Sequence, residues 1–153
     1  RMRRTSRSMR RFSGESYCGQ LFIDGKDNVV FAVSGGPGLG RYINDLAGTQ
    51  SELGVSSSGQ VNTQFAWGGY LGYQHWLDSQ TRFNTYLSAA GVNLQNGQPA
   101  SAFEQGYKVS ANLMHDVNDN LRLGLEYEHG LRVSHDGSTS NGGRMEVMLR
   151  YGF

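Results

Sequence analysis

The sequence holds a single cysteine, Cys18, so no internal disulfide can staple it. Cys18 reads as a small residue on a strand rather than a reactive thiol. Long apolar runs are missing as well: none approaches the roughly 18 residues of a membrane-spanning helix. That excludes an α-helical membrane protein and leaves a β-barrel open, because barrel strands carry a much weaker signal. Charge of one sign is also lacking. Lys and Arg total 14 against 13 Asp and Glu, a net charge of +1, so no strong field selects nucleic acid or a membrane surface. Apolar residues are scarce at 37%, while glycine reaches 22 of 153 residues. Such a composition argues against a large water-soluble core. It suits a barrel, in which one side of each strand is apolar and the other can be polar. No apolar leader segment follows Arg1. A secreted barrel requires one, so the chain is expected to be mature or truncated.

What is present is alternation with period two, the mark of strands with two unlike faces. In the last segment the odd positions are Met145, Val147, Leu149, Tyr151 and Phe153, against Arg144, Glu146, Met148, Arg150 and Gly152. Leu121 to Ser134 repeats it, with Leu123, Leu125, Tyr127 and Leu131 against Arg122, Glu126, Glu128 and Arg132. Further copies run through Tyr107–Leu113, Phe83–Ala89 and Phe65–Gln74, and two shorter candidates are Tyr17–Asp24 and Asn28–Ser34. These make about seven strands, and the five C-terminal ones suit the roughly 9–11 tilted residues that cross a bilayer.

The connections carry a second pattern. Short turns at Asp24–Asn28, Leu77–Gln80 and Val117–Asn120 alternate with longer connections at 35–62, 93–103 and 135–143. Outer-membrane barrels have short periplasmic turns and longer external loops. The chain is then expected to end on the periplasmic side.

The first eleven residues stand apart, with six arginines and no alternation. They read as a solvated arm; a pore-lining or anion-binding stretch is the sharper alternative. Nucleic-acid binding has no other support in the chain. His75, His115, His129 and His135 show no ligand spacing, so no metal site is expected. His135 and Ser138 are not at same-face strand spacing, which argues against a barrel hydrolase with a histidine-activated serine. Gly35 to Gly40 is glycine-rich, but no phosphate-loop lysine follows.

Phe153 preceded by Tyr151, Leu149 and Val147 resembles the C-terminal signal of outer-membrane barrels, which the barrel-assembly machinery reads. The segment from Val29 through Gly35, Gly36, Pro37, Gly38 and Gly40 to Tyr42 resembles a strand and loop entry of DcaP-like trimeric porins. The resemblance covers the chain from about Tyr17 onward; the arginine-rich start fits it poorly. It implies an all-β, antiparallel transmembrane barrel of about sixteen strands. It further implies a homotrimeric passive channel in the bacterial outer membrane, favouring small anionic solutes such as dicarboxylates, with no cofactor and no catalysis. About seven strands cannot close such a barrel, since single-chain bacterial barrels have an even number from about eight upward. Residues 1–15 are therefore expected to be a basic arm or remnant of an upstream region, and 16–153 the C-terminal strands of a porin-like barrel.

Charge on a lipid face costs about 2–4 kcal/mol at mid-bilayer. The charged even positions are therefore expected to line the pore: Arg82, Lys108, Arg122, Glu126, Glu128, Arg132, Arg144, Glu146 and Arg150. Bases outnumber acids there, which predicts weak anion selectivity; the plainer alternative is a salt-bridged wall that only holds water. Arg41 and Asp45 lie in the long connection, read as an external loop or trimer contact in preference to an inward constriction. A small outer-membrane barrel hydrolase and a soluble β-sandwich binding module are the competing functions.

Overall fold

The computed structural model describes residues 13–46, 48–49 and 51–153. The arginine-rich start lies outside the described residues. Among the described residues there are nine strands, in chain order β1 (Glu15–Asp24), β2 (Asp27–Pro37), β3 (Leu53–Val55), β4 (Val61–Thr63), β5 (Phe65–Trp76), β6 (Thr81–Asn93), β7 (Phe103–Asp116), β8 (Leu121–Ser134) and β9 (Thr139–Tyr151). Seven form one antiparallel sheet in the order β1-β2-β5-β6-β7-β8-β9, and β3 and β4 pair separately as a small hairpin. No helix among the described residues is long and apolar enough to cross a membrane.

The register preserves parity across the sheet except at two bulges near strand ends, between Phe22 and Asp24 and between Phe103 and Gln105. Phe31 pairs with Leu71, Leu71 with Leu87, Leu87 with Val109 and Val109 with His129. Phe83, Leu113, Leu125 and Val147 form a second such row. On the opposite face Gly72, Tyr86, Ser110, Glu128 and Arg144 are successive partners. Each strand alternates, so odd-with-odd pairing turns seven separate apolar stripes into one continuous apolar face. That face is uncovered in the isolated chain: Leu87, Leu125, Met145, Val147 and Leu149 are all exposed. Three of its glycines lie under aromatic rings. A Cβ at Gly91 would come within 2.7 Å of Trp67, one at Gly19 within 2.7 Å of Phe31, and one at Gly143 within 2.8 Å of the Tyr127 hydroxyl. The ring supplies the cover that the glycine lacks.

Two of the short turns share one device. Asp78 Oδ1 accepts from the amides of Gln80 and Thr81, each at 2.7 Å. Asn118 Oδ1 does the same for Asn120 and Leu121, each at 2.9 Å. Such side chains satisfy amides that a tight turn leaves without ladder partners.

Several strands run longer than the alternation alone indicates. β6 continues to Asn93 and β7 spans Phe103 to Asp116. β9 starts at Thr139, so the connection expected over 135–143 shrinks to a tight turn at His135–Ser138 with Gly137 at φ 79°. Ser140 to Gly143 has no apolar alternation; its strand is set by pairing to β8, where Leu131 meets Asn141 and Val133 meets Thr139.

The buried apolar core among the described residues is small and lies at the long-loop end. Leu46, Ala66, Ala90 and Val92 are almost fully buried, with Ile43, Leu94 and Phe103 packed against them. The sheet edges are β1 and β9.

Candidate functional site

The long connection between β2 and β5 folds back over the charged face. It contains two single-turn 3-10 helices, Gly40–Tyr42 and Asn44–Leu46, and the β3–β4 hairpin. Backbone bonds from Gly38 N to Gln64 O at 2.8 Å and from Gln64 N to Glu52 O at 3.0 Å close its base. Its tip is seated by size. Ala66, Gly68, Ala90 and Val92 occupy even positions, the face on which β7, β8 and β9 carry most of their charged side chains. Leu46 packs into the cluster they help form. A Cβ at Gly68 would fall within 2.7 Å of Ile43 Cγ2, so this glycine makes the room that the loop fills.

Charge completes the seat. Asp45 Oδ1 lies 3.5 Å from Lys108 Nζ. The reading of this loop as external or trimer-facing is therefore corrected for Asp45: a short side chain on a short helical turn reaches the even face because small residues sit beneath it. Arg41 stays within the loop, 3.5 Å from Glu52.

All nine charged positions singled out from the sequence lie on this even face. Four of them are tied to one another. Lys108 Nζ is also 3.8 Å from Glu128 Oε2, and Arg144 Nε is 2.9 Å from Glu128 and 2.7 Å from Glu146. A chain of alternating charge thus runs Asp45, Lys108, Glu128, Arg144, Glu146 across the loop, β7, β8 and β9. Glu126 accepts from Asn112 Nδ2 at 2.8 Å, and Asn112 Oδ1 accepts from Asn84 at 2.6 Å. Arg132 donates to the Ser101 carbonyl at 2.9 Å and stacks 5.7 Å from the Phe103 ring.

The short-turn end is more basic. Arg122 pairs with Asp116, and Arg82 stands 3.9 Å from the same carboxylate. Arg150 is the strand partner of Arg122. Like charges directly opposite are unfavourable in a sheet. Arg122, Arg150 and Asp116 border an open space of about 430 Å³ with the Val117–Asn120 turn.

Two acids on this face escape a reading of the sequence alone. Asp116 sits at the end of β7, past the alternating stretch, and Asp45 arrives from the loop. They reduce an excess of six bases over three acids to six over five. The signal that locates the loop seat is faint but present: the even positions of β5 and β6 nearest the long connection are small or apolar, so both faces are apolar there.

The other singled-out side chains are placed as follows. Val147, Leu149 and Tyr151 stand on the exposed odd face of β9, and Tyr151 meets the Phe153 ring edge-on at 5.3 Å. His75 Nδ1 lies 2.5 Å from Asp27, whose other oxygen accepts from the Trp76 amide at 2.8 Å. His135 Nδ1 is 3.6 Å from Glu104, and the Ser138 amide donates to Asp136 at 2.9 Å.

No protein-family model matches the sequence, and no curated protein matches it. Among solved structures the chain is similar to the outer membrane channel DcaP of Acinetobacter baumannii, with a TM-score of 0.77 and 20% sequence identity. The match covers 92% of this chain and 40% of that chain. At this identity the likeness speaks to architecture: the described strands have the fold of a DcaP-like outer-membrane porin.

Proposed function

We propose that the sheet is part of the wall of an outer-membrane channel, through which small hydrophilic solutes pass by diffusion. The observation that carries this is the parity of the register. Six successive pairings keep the main apolar stripe of the sheet on one face and its charged positions on the other, in a fold shared with an outer-membrane channel. Lipid contacts the odd face, because apolar side chains there need no hydration. Water contacts the even face, so Arg82, Lys108, Arg122, Glu126, Glu128, Arg132, Arg144, Glu146 and Arg150 line the passage. The edges of β1 and β9 pair with further strands, since open ladder groups are not tolerated in hydrocarbon. In this reading the channel is a homotrimer in the bacterial outer membrane. The exposed alternation Val147, Leu149, Tyr151, Phe153 is the segment that the barrel-assembly machinery engages.

The residual excess of base, concentrated at Arg82, Arg122 and Arg150, gives a weak preference for anions. The test is the reversal potential of the reconstituted channel under a salt gradient in a planar bilayer. A small shift toward the anion potential is expected. Cation preference overturns the anion assignment, and absence of any conductance overturns the channel.

A further inference from the structure

We infer that the space beneath the long loop binds an uncharged polyhydroxylated solute, one or two sugar rings in size. This rests on the reading of the even face as the wall of an aqueous passage. The cavity is about 670 Å³, inside the range of about 300–1,000 Å³ that holds small ligands. The strands β2, β5 and β6 form its floor, and Tyr42 to Asp45 of the loop form its roof.

The lining has two kinds of side chain. Tyr42, Tyr70 and Tyr86 supply broad apolar faces with a hydroxyl at one end. Asn44, Asn84 and Gln74 supply amides, each with donors and an acceptor. A sugar ring presents the matching pair: an apolar C–H face, and a rim of hydroxyls that both donate and accept. Asn84 is already oriented, since its Nδ2 donates to Asn112 at 2.6 Å and Asn112 donates on to Glu126 at 2.8 Å. That chain leaves the Asn84 carbonyl oxygen available to accept from a solute hydroxyl.

The charges argue against an ionic occupant. The charged side chains lining the cavity are Lys108 and Asp45, 3.5 Å apart and of opposite sign. Lys108 is further shared with Glu128 at 3.8 Å. An entering anion would shed water to meet a lysine already held by two carboxylates. A cation would meet a carboxylate already held by a lysine. Neither recovers its hydration from an unpaired counter-charge. A polyol loses only hydroxyl hydration, which the amides replace. Arg122 and Arg150 border a different space near the short turns, so anion steering and polyol binding occupy separate places along the face.

The test is calorimetric titration of the full chain in detergent micelles, with maltose and, separately, malonate. Saturable maltose binding is expected, weakened at least about tenfold in both Tyr42→Ala and Tyr70→Ala. Tyr42 is 72% exposed in the loop, so its removal leaves the sheet intact, as far-UV circular dichroism will show. Asp45→Asn leaves Lys108 with Glu128 alone and is expected to raise malonate binding. Saturable malonate binding by the wild type without maltose binding overturns the inference, as does maltose binding indifferent to both tyrosines. Liposome swelling by the closed channel that contains these strands separates this from the channel itself. Tyrosine-dependent maltose binding without swelling by any solute leaves the site standing and removes the channel. Swelling without saturable maltose binding removes the site and leaves the channel.

Discussion

Asp78 shows how one side chain sets the short turns. The Gln80 amide, and then the Thr81 hydroxyl and amide, hold its carboxyl below the usual carboxylate range. Asp136 is held low in the same way by the Ser138 hydroxyl and amide. A lowered native pKa means that the ionised form stabilises the turn. That contribution is complete above the ordinary carboxylate value of about 3.9 and is lost as pH falls through the lowered native one. Asp78→Asn is therefore expected to reduce hydrogen-exchange protection at the Gln80 and Thr81 amides at neutral pH, with the difference from wild type closing in acid. A difference that stays constant into acid would refute the electrostatic account. These turn residues were legible in the sequence, because an Asp or Asn before a strand start has a local role. Asp45 was not legible, because its partner Lys108 is 63 positions away and meets it only through the loop's path.

At the scale of elements, the amphipathic strands and the loop differ in kind. The stretch Leu121 to Ser134 is delimited identically by alternation and by structure. Lengths failed where alternation did: Thr139 to Gly143 is strand because β8 templates it, and no side-chain pattern records that. The loop is held by packing at one buried leucine. Leu46 is 1% exposed. Leu46→Ala is expected to weaken the seat by about 2–5 kcal/mol, the usual cost of emptying a buried leucine site. Single-channel recording should then show a higher or noisier open level as the loop leaves the even face. Unchanged conductance and noise would mean that the loop does not narrow the passage. Gly68→Val tests the same seat from the strand side, since its Cβ would meet Ile43, and should move conductance in the same direction.

For the whole molecule, the two faces predict opposite responses to charge. Met145 is 68% exposed at the middle of β9 on the odd face. Met145→Arg is expected to destabilise the lipid-embedded form by about 2–4 kcal/mol, read from denaturant unfolding in vesicles. Glu146→Gln, its neighbour on the even face, loses an exposed pair with Arg144 and should cost only about 0–1 kcal/mol. Equal costs at the two positions would contradict the assignment of faces. Arg150 belongs to the same scale. Its standing opposite Arg122 is a property of strand register and cannot be inferred from either strand alone.

The sequence by itself determined the class of structure. Period-two alternation, scarce apolar residues and turn-forming Asp and Asn specify amphipathic antiparallel strands, because each is a local property of neighbouring residues. The tertiary structure alone decided what occupies the even face. Register set which charges meet, the templated start of β9 shortened the last connection, and the long loop brought Tyr42, Ile43, Asp45 and Leu46 over small residues of β5 and β6. Those outcomes depend on contacts between distant segments, and such contacts leave in the sequence only the faint mark of a strand that is apolar on both sides.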